Sequence, residues 1–275
     1  MNIKNAMLTK NPCYNTNRKL TANKKLMLHS VGCPQPNASV FVKNWNNSTF
    51  DSACVHAFID ATTGDVYQTL PWDHRGWHAG GSANNTHIGV EMCEPDCIKY
   101  TGGSTFKVLD KERALKQVRT AYNSAVELFA YLCKKYNIDP MKGIASHKEG
   151  HALGIASNHG DPEHLWKGVG SGYTMDGFRK DVKAKLNGKK DTTATTKPSS
   201  STTKVNAYKV KVNVADLRIR KGPGTNYDWN GKYTGKGVFT IVEESKGEGA
   251  SKWGLLKTYA GKRDGWISLN YAKRV

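Results

Sequence analysis

Several things are missing from this sequence, and each absence narrows what it can be. No run of about eighteen apolar residues occurs, so no membrane-spanning helix is expected. The opening, MNIKNAMLTKNPCYNTNRKL, lacks the apolar core of a secretory signal, and export by that route is not expected either. All nine histidines lie between His29 and His164, and all six cysteines between Cys13 and Cys133. Metal or acid–base chemistry therefore belongs to the first half of the chain. Residues 188–204, GKKDTTATTKPSSSTTK, hold nothing apolar but Ala194 and cannot bury a core.

What remains is enough for two domains. The 275 residues are 38% hydrophobic and include seven tryptophans, which suits a soluble globular protein. The composition predicts a domain over 1–187, a flexible linker over 188–204 and a second domain over 205–275. Acidic side chains are scarce, 23 against 41 Lys and Arg, and the formal charge of +18 is shared by both halves. Such a charge implies an anionic partner: nucleic acid, a membrane surface or an anionic cell wall. The lysines are scattered and no nucleic-acid-binding motif appears, so nucleic acid is not expected. Cys93 and Cys97 could form half of a zinc site, but no second pair has the spacing, and buried, reduced, structural thiols are expected.

In the first half KLMLHSVG (25–32) reads as a buried strand. CVHAFIDATTGDVYQTLP (54–71) reads as a hairpin turning near Thr63-Gly64-Asp65, and HIGVEMCEP (87–95) as a further strand. After the N-cap Asp110, apolar residues recur at Ala114, Val118, Tyr122, Ala125, Phe129 and Leu132, which predicts a long amphipathic helix. KGIASH (142–147) returns as a strand, and Met175, Phe178, Val182 and Leu186 mark a closing helix. Strands alternating with helices predict an α/β domain with a mixed central sheet. Residues 205–275 show short alternating runs broken by Gly, Pro and Asn, the pattern of a small all-β barrel.

His29 and His147 each close a predicted strand, and Asp161 follows in a loop. Two His and one Asp from separate elements meet the ligand count of a zinc site that keeps a position open for water. His151, His159 and His164 compete with Asp161 as third ligand. Glu91 is a carboxylate in a strand whose pattern is otherwise apolar, a placement that needs a partner or a task.

Together MLHSVG, RGWHAGGSANNTHIGVEMCEP, ASHKEGH, SNHGDPEHLW and MDGFRKDVK resemble, in order, the zinc-dependent N-acetylmuramoyl-L-alanine amidases of phage endolysins and bacterial autolysins. Peptidoglycan recognition proteins share that fold. The resemblance implies Zn2+ on His29, His147 and Asp161, and Glu91 as the catalytic acid. It also places His159 where many members carry a lysine that stabilises charge on the scissile carbonyl oxygen. The spacing from His147 to Asp161 is longer than is common in the family, and KEGHALGIASN reads as an enlarged loop. WDHRGWHAGG resembles the substrate-groove loop, implying that Trp77 and His78 contact muramyl peptide.

LRIRKGPGT and GWISLNYA, within 207–275, resemble bacterial SH3-like domains that attach wall hydrolases to peptidoglycan. Arg218, Tyr227 and Trp229 are the expected wall contacts, whereas Trp253 and Trp266 are expected in the core. The whole resembles an endolysin: a monomer held in the cytoplasm until a holin opens the membrane, then acting on a Gram-positive wall. Two other readings stand beside it, a peptidoglycan-binding protein without catalysis and a zinc peptidase cutting within the stem peptide or cross-bridge.

Overall fold

The computed structural model describes residues 2–188, 203–257 without 226 and 228, and 265–275. The linker expected at 188–204 lies, but for its ends, outside the described residues. Two units are separated by their internal contacts, Met1–Lys190 and Asp191–Val275.

In chain order the first unit contains β1 (Ile3–Asn5), α1 (Pro12–Asn15), β2 (Lys25–Ser30), α2 (Ala38–Trp45), β3 (Ala57–Ile59), β4 (Val66–Gln68) and β5 (His87–Met92). There follow β6 (Ile98–Gly102), β7 (Thr105–Val108), α3 (Lys111–Tyr136), α4 (Pro140–Gly143), β8 (Ile144–Ser146), α5 (His147–Ala152), α6 (Glu163–Val169) and α7 (Met175–Leu186). The six-stranded sheet has the order β1-β4-β3-β5-β2-β8. Only the β3–β4 hairpin is antiparallel; β3, β5, β2 and β8 run side by side in parallel. This is the mixed α/β architecture expected from the sequence, and the hairpin turns at Gly64, which has φ +77°.

Burial explains the sheet. Leu26, Met27 and Leu28 of β2 and Ile88 and Val90 of β5 are all fully buried, as strands covered on both faces require. The long helix α3 begins where Asp110 accepts from the Arg113 amide and ends at Asn137 in the left-handed region, φ 52°. Its buried face includes Val118, Tyr122, Val126 and Phe129, and it packs with Phe178 of α7 and Trp166 of α6 into one core. Tyr122 stacks on Tyr173 at 3.8 Å and donates to Asp181 at 2.7 Å, which ties α3 to α7.

One boundary differs from expectation and matters for the site. His147 does not close a strand; it is the first residue of α5. Ser146 accepts from the Glu149 amide while the Glu149 side chain accepts from the Ser146 amide, a capping box that turns the chain into a helix at that point. The first part of KEGHALGIASN is accordingly helical to Ala152 rather than a loop. Arg179 clamps Glu149 with two bonds of 2.8 Å and so fixes this helix start on α7.

The second unit contains β9 (Thr203–Val212), β10 (Arg218–Arg220), β11 (Trp229–Tyr233), β12 (Gly237–Gly247), β13 (Ala250–Leu256), β14 (Gly265–Ser268) and β15 (Ala272–Arg274). All its pairings are antiparallel, in the order β11-β10-β14-β13-β12-β9-β15. Val210, Val212, Ile219, Ile241 and Ile267 form its core, and Trp253 and Trp266 are buried as expected. Among the described residues no helix is long and apolar enough to cross a membrane.

Candidate active site

The carboxyl ends of parallel strands are where an open α/β sheet leaves a crevice. Here β2 delivers His29 near its end, β5 delivers Glu91 in register with it, and His147 follows directly on β8. Asp161 enters from the loop before α6 and accepts from the Ser30 amide at 3.3 Å. These residues line a cavity of 890 Å³ that His78, Tyr100, Ser157, His159 and His164 also border.

Three side chains converge. His29 Nδ1 lies 3.0 Å from His147 Nδ1 and 3.2 Å from an Asp161 carboxylate oxygen, and His147 Nδ1 lies 3.7 Å from the other oxygen. Among the described residues, His29, His147 and Asp161 form the group able to share one metal ion, with all ligand atoms within 4.8 Å. His151 is exposed on α5, and His164 is engaged with Tyr100, so neither joins the group.

Hydrogen bonds behind the rings set which nitrogens face inward. His78 Nε2 donates to the His87 carbonyl at 3.0 Å, so His78 Nδ1 accepts, and it accepts from His29 Nε2 at 3.0 Å. Burial first, then the neighbouring imidazoles of His29 and His56, hold His78 well below the usual histidine range, which keeps that acceptor neutral. His147 Nε2 meets Ser157 Oγ at 3.2 Å, and Ser157 Oγ meets His159 Nδ1 at 3.0 Å. The Ser157 hydroxyl also donates to the Ala79 carbonyl at 3.3 Å, so it ties His147, His159 and the loop of Ala79 together at one point. Both His29 and His147 are thus held with Nδ1 pointing into the site, the arrangement in which a metal-ligating histidine is oriented through its other nitrogen.

The electrostatics fit a cation at that point. Burial and then the His29 ring hold His147 down to about 4, so its inward nitrogen carries a lone pair. Burial opposes a proton on His29, but the Asp161 hydrogen bond and the charges of Glu91 and Asp161 outweigh it and raise His29 above its ordinary value. Asp161, though buried, is held below the usual carboxylate range, chiefly by His29. A divalent ion bound here would compete with protons for His29 Nδ1 and the Asp161 carboxylate. Two neutral imidazoles and one carboxylate are a zinc donor set.

Glu91 is the least satisfied group of the site. Its Oε2 is buried with no hydrogen-bond partner, and burial, then the neighbouring carboxylates against the opposing pull of His29, raises it to about 8. A carboxyl so placed suits proton transfer near neutral pH.

Of the expected groove residues, Trp77 is half-buried against Leu8, Cys13, Cys54 and Leu70 and also borders the cavity; His78 sits behind His29 as described. In the second unit the guanidinium of Arg218 lies 5.6 Å from the Trp229 ring, whereas Tyr227 packs over Gly222. All six cysteines are free; Cys93 and Cys97 are buried in the main core. Sequence reasoning misses Ser157, Tyr100 and Glu94. Glu94 does carry a signal, as a second carboxylate in the apolar run MCEP, and it is fully buried.

Comparison with known proteins gives the family and the fold. The profile of the family described as N-acetylmuramoyl-L-alanine amidase matches residues 19–164. The chain is 26% identical over 192 residues to the N-acetylmuramoyl-L-alanine amidase BlyA of Bacillus subtilis, a match spanning 66% of this chain and 47% of BlyA. It is 37% identical over 68 residues to the amidase XlyA of the same organism, spanning 24% of this chain and 21% of XlyA. The chain thus spans about half or less of the relatives it matches. The Staphylococcus aureus hydrolase AmiA, solved with its ligand, superimposes with a TM-score of 0.51 at 18% identity, over 69% of this chain and 85% of AmiA, a likeness of fold.

Proposed function

Because the chain belongs to the N-acetylmuramoyl-L-alanine amidase family, we propose that it hydrolyses the amide joining the lactyl group of N-acetylmuramic acid to L-alanine in peptidoglycan. The observation that carries this reading is the convergence of His29 Nδ1, His147 Nδ1 and Asp161 beside the unpartnered Glu91 carboxyl.

Zinc held by His29, His147 and Asp161 would supply Lewis acidity, acidifying water and polarising the carbonyl oxygen. Glu91 takes the proton from the attacking water and hands it to the departing L-alanine nitrogen. Its unpartnered Oε2 is the atom for both transfers. His159 donates to the carbonyl oxygen as negative charge builds there, with Ser157 anchoring its ring. Trp77 and the loop before β5 form one wall for the muramyl peptide.

In this reading residues 1–187 are the catalytic domain, 188–204 the linker and 205–275 an SH3-like domain that holds the enzyme on a Gram-positive wall. Such tethering raises the local concentration of an enzyme on an insoluble substrate. Arg218 and Trp229, stacked together, and Tyr227 are the contacts proposed for the wall. The enzyme acts as a monomer and is of endolysin type, reaching the wall through a holin-made opening.

The test is clearing of purified Gram-positive walls by the full chain and by Glu91→Ala, with and without chelator, with mass spectrometry of the soluble products. Chelator-sensitive clearing that frees peptides with N-terminal alanine, and is lost in the variant, is the expected result. Products cut within the stem peptide would replace the amidase by a peptidase, and binding without clearing would leave a recognition protein.

A further inference from the structure

Asp161 differs from its two partners in how it is held. His29 belongs to a central strand and His147 to a capped helix start, but Asp161 stands in a loop, and a ligand on a loop needs something to fix it. The only side-chain bond it receives from the main chain of the sheet is from the Ser30 amide, among the described residues.

Glu94 lies directly behind Ser30. It follows β5, is fully buried, and collects three donors: Ser30 Oγ at 2.7 Å and the Gly32 amide at 3.1 Å on Oε1, and Tyr100 Oη at 2.7 Å on Oε2. An ionised carboxylate accepts all three, whereas an amide that keeps its oxygen on Ser30 and Gly32 must donate to Tyr100 Oη and so reverse the Tyr100–His164 bond. Tyr100 in turn meets His164 Nε2 at 2.7 Å. His164 stands in the first turn of α6, and its amide donates to the Gly160 carbonyl at 2.9 Å, just before Asp161. Glu94 therefore reaches Asp161 from two sides: through Ser30, whose amide bonds its carboxylate, and through Tyr100 and His164, which hold the loop where it enters α6.

We propose that Glu94 is a positioning residue that sets Asp161 as a metal ligand by these two hydrogen-bonded routes. It touches neither substrate nor reacting atoms. The inference rests on the reading of His29, His147 and Asp161 as a metal centre, but not on which amide the enzyme cuts.

The experiment measures zinc affinity of the full chain by competition with a chromophoric chelator, together with the visible spectrum of the Co2+-loaded protein and the thermal melt of the metal-free protein. Glu94→Gln, which keeps the shape of the side chain, is expected to weaken zinc binding by about 10-fold or more, within the 10–100-fold usual for residues that orient ligands. The Co2+ bands are expected to shift. Ser30→Ala and Tyr100→Phe each cut one route and should each weaken zinc by less than Glu94→Gln; they carry the test if Glu94→Gln does not fold. Variants that melt earlier but bind zinc as the wild type does would make Glu94 a packing residue and overturn the proposal. A wild-type chain that takes up no zinc would remove its premise, and that outcome is read before any substrate is added. Loss of zinc affinity alongside products other than alanine-terminated peptides would leave this proposal standing and sink the amidase reading alone.

Discussion

Gly89 offers the sharpest handle on the site, because nothing but a hydrogen fits where its side chain would be. A Cβ there would lie 2.5 Å from two ring atoms of His78 and 2.7 Å from a third. Ordinary contact begins near 3.4 Å, so the ring must retreat by about 1 Å. It is not free to do so: one nitrogen is bonded to the His87 carbonyl and the other to His29, each at 3.0 Å. A retreat of that size stretches at least one bond past useful length. Losing it frees the tautomer of His78 and with it the orientation of the His29 ring. Gly89→Ala is therefore expected to cost ~1–3 kcal/mol of stability through overpacking and about 10-fold or more in zinc affinity through the lost second bond of His29. Urea unfolding of the metal-free protein reads the first quantity and chelator competition the second. Adding His78→Ala to Gly89→Ala removes the clash but should not restore zinc affinity, since the His29 partner is gone too. An alanine variant that unfolds and binds zinc like the wild type would refute this account of His78.

His159→Ala is expected to lower turnover on wall fragments by ~10²–10³-fold, the usual loss for one oxyanion donor, and His159→Lys to restore most of it; equal activity of all three would remove His159 from the chemistry. Ser157→Ala, which removes the anchor of the His159 ring, should reduce turnover in the wild type and much less in the His159→Lys background, where no ring needs anchoring; equal losses in both backgrounds would contradict that role of Ser157. Glu91 gives a pH signature. Its folded value, raised from 4.5 to about 8 by burial, means the folded metal-free protein keeps a proton that the unfolded chain releases. The stability it contributes is complete below about pH 4.5 and is lost as pH rises toward 8, at ~1.4 kcal/mol per pH unit at most. Chelator-treated Glu91→Gln should therefore gain on the wild type in urea midpoint between pH 5 and pH 8; a gap that stays constant would place Glu91 in water.

Much of this site is legible in the sequence alone. His29 and Glu91 stand in apolar strand runs where a polar residue is conspicuous, and Asp161 sits in a Gly-Asp-Pro turn that matches a known family pattern. Helix α3 is marked by its 3.6-residue period and its Asp110 cap. At His147 the apolar run KGIAS points to a strand carried through to its end, while the weaker signal, Ser146 followed three places later by Glu149, decides the local fold. Other features depend on pairings that no local pattern reports. The fit of His78 over Gly89 follows from a loop folding back on a neighbouring strand, and Glu94 meets Ser30 because β2 and β5 lie side by side although their residues are far apart in the chain. Ser157 is invisible for a different reason: its importance lies in meeting His147, His159 and the Ala79 carbonyl at once, which only the assembled loops bring together.

The facing Nδ1 atoms of His29 and His147, the proposed metal ligands, come from residues 118 apart. The span closes where β2 pairs directly with β8, so the two histidines face each other only once that long-range parallel pairing has formed. An ion held there as proposed would bind the native state over the unfolded one and so stabilise the first unit by an amount that grows with the logarithm of its free concentration. A chain cut between the two histidines loses the covalent link across that pairing and is expected to hold the proposed ion more weakly than the intact chain.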